Sequence, residues 1–93
     1  MTRDVLQAIL RGAQGLSDKA GVFRAEPDTR VTFYLGQDGR GITANEIETV
    51  KLLDLYVSLS SRELGEVACP YDSVFAVAVK PPKESGPKKT GFA

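Results

Sequence analysis

Ninety-three residues are enough for one small domain with a modest core. Twelve basic residues balance twelve acidic ones, so no whole-molecule field draws the chain to nucleic acid or to an anionic membrane. The chain has no histidine, which removes the commonest general base and the commonest metal ligand, and its single cysteine, Cys69, cannot form an internal disulfide.

Residues 2–14 predict a helix. Thr2 is placed as its N-cap, and Asp4 lies in the first turn, where the helix dipole favours a negative charge. Val5, Leu6, Ile9 and Leu10 recur at helical spacing and form one apolar stripe, which suits packing on the protein's own sheet or pairing with a second copy. Gly12 and Gly15 end the helix. Residues 16–21 read as a polar connection, and residues 22–25 as a short strand stopped by Glu26-Pro27-Asp28. Residues 30–35 are a firmer strand, with Val31, Phe33 and Leu35 on one face and Thr32 and Tyr34 on the other. Asp38-Gly39 is a turn signal within a glycine-rich stretch that lacks the lysine of a phosphate loop. Residues 42–53 predict one helical turn over 44–48 and a strand from Thr49 onward.

The centre of the chain is the run 55–79, read as two apolar strands joined by the turn Ser61-Arg62-Glu63-Leu64-Gly65. Leu55, Val57 and Leu59 alternate with Tyr56, Ser58 and Ser60, so apolar residues take one face and hydroxyls the other. Val67 and Cys69 lead to Pro70, and Val74 to Val79 is apolar throughout. The fold expected for residues 1–79 is mainly β with an N-terminal α-helix, a small bent antiparallel β-barrel. Residues 80–93 are a tail rich in proline, glycine and lysine.

No carboxylate pair, serine–histidine arrangement or metal-ligand spacing marks an enzyme, and no cofactor is implied. The lone cysteine reads as a small core residue in a reduced, cytoplasmic setting. The longest apolar run falls far short of the roughly 20 residues that span a bilayer, so no membrane partner is expected. The classes left are a peptide- or protein-binding module and an RNA-binding barrel.

From Asp38-Gly39 onward the order of residues resembles the stringent starvation protein B family, adaptors that deliver tagged proteins to the ClpXP protease. Ile42-Thr43-Ala44 stands where that family has Ile-Ser-Pro. Ile47, Val50 and Leu52 follow at its apolar positions, then Val57 and Leu59, then Ser61-Arg62 in place of Ala-Arg. Val67 to Pro70 and Val74 to Ala78 match its final strand segment. The chain departs from the pattern in a shortened Asp-Gly to Ile-Ser-Pro spacing, a shorter loop before Glu66, and Glu63 where the family has phenylalanine. The family's long tail with its protease-docking motif has no counterpart before Ala93.

The resemblance implies an Sm-like fold and a non-enzymatic adaptor that binds peptide tags of substrate proteins and hands them to an AAA+ protease of the ClpX type. It implies a homodimer through Val5, Leu6, Ile9 and Leu10, and a peptide groove at Ser61 and Arg62. Ile42, Thr43 and Leu59 then form neighbouring walls, and Phe92 closes one end. The alternatives are an Sm- or Hfq-like RNA-binding barrel, whose lysine–histidine pair this histidine-free chain lacks, or a regulatory interaction domain without a peptide groove. Nucleic acid is not the expected partner.

Overall fold

The computed structural model describes residues 1–37 and 40–82. Helix α1 (Arg3–Gly12) begins at Thr2, whose hydroxyl accepts the Val5 amide at 3.2 Å, and carries Asp4 in its first turn and Arg11 in its last. Both charges suit the helix dipole. Leu6 and Leu10, one turn apart, are buried in the protein's own core, while Val5 and Ile9 on the flank are 50% and 38% exposed. The stripe is therefore split between two environments. No helix among the described residues is long and apolar enough to cross a membrane.

Gly15 turns the chain out of the helix region with φ +94°, a conformation in which a side chain collides with its own backbone. A Cβ there would also stand 2.6 Å from the Thr29 hydroxyl. Gly15→Ala is expected to cost at least about 1–2 kcal/mol from the backbone alone. For a domain of this size that lowers the melting temperature by on the order of 10 °C, measurable by circular dichroism.

Strands β1 (Leu16–Lys19) and β2 (Val22–Ala25) form a tight hairpin through Ala20 and Gly21, both at positive φ. This corrects the reading of 16–21 as a polar connection. β1 is an edge strand and buries little, so its sequence needs no apolar alternation to reveal it. Strands β3 (Arg30–Gln37), β4 (Arg40–Ala44), β5 (Ile47–Leu52), β6 (Tyr56–Ser61), β7 (Gly65–Pro70) and β8 (Val74–Lys80) follow, with a 3₁₀ turn at Tyr71–Ser73. The turn expected at Asp38-Gly39 lies outside the described residues.

The helical turn expected over 44–48 is not formed. β4 runs through Ala44, the chain turns a corner at Asn45 and Glu46 (φ +57°), and β5 starts at Ile47. The carbonyls of Asn45 and Glu46 accept from the Ser61 hydroxyl and the Arg62 amide at 2.7 and 2.9 Å. The end of β6 thus satisfies groups that a helical turn would have paired internally. The run 55–79 contains three strands, not two, and Leu55 lies before β6, 85% exposed, instead of sharing the face of Val57 and Leu59.

All pairings are antiparallel, in a five-stranded sheet of order β1-β2-β5-β6-β7 and a three-stranded sheet of order β4-β3-β8. The core holds Phe23, Val50, Val57 and Leu59 from the first sheet and Val31, Phe33, Ala44 and Val74 from the second, together with Leu6 and Leu10. Tyr71 is buried with them and donates its phenol hydrogen to the Leu53 carbonyl. Among the described residues the ladders do not close into a barrel: β7 pairs only with β6, and β4 only with β3.

Candidate functional site

Two of the four sheet edges, β4 and β7, line one groove of about 300 Å³. Leu35, Gly36, Arg40, Gly41 and Ile42 come from the three-stranded sheet; Val67, Ala68 and Cys69 come from the five-stranded one, and Ser73 lines it from the 3₁₀ turn. The register explains the apolar floor. Ile42 lies opposite Leu35, and Val67 and Cys69 lie opposite Leu59 and Val57, so these side chains point between the sheets. A ladder between β4 and β7 would bury them, but here Ile42 remains 57% exposed. Glycine and alanine keep the walls low, and among the described residues Arg40 is the only charged one lining the groove.

Cys69 is half-buried in this groove, and burial pushes its thiol up from the ordinary value. At neutral pH it is therefore the protonated thiol, a weak nucleophile. Because the folded thiol holds its proton to higher pH than the unfolded one, its contribution to stability is lost as pH rises past the unfolded value. Among the described residues no cluster of three metal-ligating side chains occurs.

The residues expected from sequence to form a peptide site do not converge. Ile42 lines the β4–β7 groove. Thr43, its neighbour, belongs to the opposite face of β4, level with Tyr34 on β3. Leu59 is fully buried. Ser61 is 5% exposed, because the period of two that turns Val57 and Leu59 inward turns Ser61 inward as well. Its hydroxyl donates to the Asn45 carbonyl and accepts the amides of Glu63 and Leu64 at 3.2 and 3.0 Å. Neither Leu59 nor Ser61 offers its side chain to a surface ligand. Arg62 is exposed and places two nitrogens 3.1 and 3.0 Å from one Glu48 carboxylate oxygen. That pair borders a different, polar cleft of about 310 Å³, shared with Arg24, Glu26, Asp28, Arg30 and Glu46. Phe92 lies outside the described residues, as does the tail beyond Pro82.

Sequence reasoning missed Gly36, Gly41, Val67, Ala68, Cys69 and Ser73 as groove residues. The available signal was a glycine-rich strand end and a weakly apolar strand, both poor candidates for the middle of a sheet. Neither a family model nor a curated protein nor a solved structure matches this chain.

Proposed function

We propose that this chain is a non-enzymatic peptide-binding adaptor that holds an extended segment of a substrate protein in the β4–β7 groove. The observation that carries this reading is the pair of unpaired strand edges facing one apolar, low-walled groove. An extended peptide placed there gains main-chain hydrogen bonds from a strand edge, while Ile42, Val67 and Cys69 receive alternate side chains. In this reading the two sheets are the halves of a strongly bent Sm-like barrel, as the resemblance to the stringent starvation protein B family implies, left open between β4 and β7. The same resemblance supports delivery of the bound, tagged protein to an AAA+ protease of the ClpX type. The exposed Val5 and Ile9 flank of α1 supports a homodimer in which the helix pairs with its copy.

The test is fluorescence anisotropy with a labelled degradation-tag peptide. Ile42→Asp puts a charge on the apolar wall at an exposed position, so the fold persists and affinity falls at least about tenfold, or ~1.4 kcal/mol. N-methylation of alternate peptide amides reduces binding in one register and spares it in the other. Unchanged affinity for folded Ile42→Asp, with N-methylation equally harmless, removes the groove as the site.

A further inference from the structure

The outward face of the five-stranded sheet gathers three cations at its β1 end. Strand register sets Lys19 opposite Val22 and Val22 opposite Lys51, with Arg24 one pleat further along β2, opposite Ser17. Lys19, Arg24, Lys51, Ser17 and Val22 line a concavity of about 340 Å³ that no carboxylate borders among the described residues. Arg24 also reaches the polar cleft of Glu26, Asp28, Glu46 and Glu48. Asp18, the acid of β1, alternates to the other face, where its carboxylate meets Arg11 of the helix at 3.2 Å.

Folding does not account for this grouping. The chain carries as many acids as bases, and Arg11 and Arg62 each meet a carboxylate. Lys19, Arg24 and Lys51 form no ion pair among the described residues, and all three are exposed. Like charges gathered on neighbouring strands repel and slightly weaken the sheet. An anion bound among them relieves that repulsion and gains charge-assisted hydrogen bonds from two ammonium groups and a guanidinium.

We propose that Lys19, Arg24 and Lys51 form an anion site for a small phosphate-bearing ligand, with the Ser17 hydroxyl at its rim. A short, multiply charged phosphate chain fits the three positive charges and the volume. A nucleic-acid backbone would need cations continuing along the sheet. Here the rest of the face carries Thr49, Ser58 and Ser60 and ends at Glu66 on β7, whose carboxylate receives both serine hydroxyls. The site lies at the opposite edge of the sheet from β7 and is independent of the peptide groove.

Isothermal titration calorimetry at low salt, with tripolyphosphate as the probe, tests the site. One equivalent binds, and Lys51→Gln and Lys19→Gln each weaken it about tenfold or more. Arg30→Gln and Lys80→Gln, which remove exposed cations from the other sheet, leave it unchanged. Because these positions are exposed, circular dichroism shows the same melting curve for all four variants to within a few degrees. Absence of saturable binding, or equal weakening by Arg30→Gln and Lys80→Gln, overturns the proposal. A deoxythymidine oligonucleotide that binds more tightly than tripolyphosphate and loses affinity in the same two variants also overturns it, and assigns the face to nucleic acid.

Discussion

Replacing Leu6 by aspartate is expected to unfold the domain outright, although Val5 beside it accepts the same change. Leu6 is 0% exposed and packs with Leu10 against the core between the sheets. Removing a buried leucine alone costs about 2–5 kcal/mol. An unpaired carboxylate in that apolar position adds a desolvation penalty of several more. Together these approach or exceed the roughly 5–15 kcal/mol that holds a small domain together. Circular dichroism of Leu6→Asp should show loss of the cooperative transition, whereas the Val5→Asp, Ile9→Asp double variant should melt close to the parent. A folded Leu6→Asp protein would mean that α1 does not pack on the sheets. The contrast also clarifies the test of pairing, since a charge at Leu6 disrupts the monomer before any interface is probed. Only the Val5 and Ile9 variant reads the proposed helix-to-helix contact, by sedimentation. If the parent is dimeric, the double variant becomes monomeric; a parent that is monomeric at tens of micromolar, on the order of a strong dimer's working range, removes the pairing.

Ser61→Gln is the second large effect, and it falls on stability before it falls on binding. The Ser61 hydroxyl ties together the β4–β5 corner and the β6–β7 turn through its bonds to Asn45, Glu63 and Leu64. Removing it leaves a carbonyl and two amides short of a partner, at about 1–3 kcal/mol for a buried group left unsatisfied. Forcing a longer side chain into a position 5% exposed adds overpacking of about 1–3 kcal/mol. A combined loss of roughly 3 kcal/mol corresponds to a fall in melting temperature of on the order of 15 °C. Ser61→Ala separates the two causes: it keeps the space, loses the bonds, and should show about half the effect. Peptide affinity measured well below the melting temperature should change little in Ser61→Ala, because the hydroxyl does not face the β4–β7 groove. A Ser61→Gln protein as stable as the parent but unable to bind peptide would return Ser61 to the ligand surface.

Local chemistry made part of this legible without coordinates. Thr2 and Asp4 marked the helix start, and the alternation in β3 and β6 identified the inward residues Val31, Phe33, Val57 and Leu59. Where one residue type has one dominant reason to be present, sequence suffices. It failed for β1, whose exposed edge position removes the need for apolar alternation, and for the 44–48 corner. Helix-like letters at that corner are overridden by hydrogen bonds from β6, more than a dozen residues away in sequence. The run 74–79 is apolar throughout in sequence, yet it is buried unevenly: Val74, Val77 and Val79 turn inward while Phe75 and Ala78 are exposed.

The sites divide along the same line. Periodicity and composition along the chain already specify a small mainly-β domain with one amphipathic helix at its start. Ile42 entered the candidate site through the family resemblance alone. It took the packed sheets to make Ser61 a buried clasp, to set Arg62 against Glu48, and to bring Ile42 into a groove with Cys69. The same packing gathered Lys19, Arg24 and Lys51 into one concavity. An edge, a groove and a charge cluster are relations between strands. Their register is set by the simultaneous packing of both sheets, which no local stretch of sequence encodes.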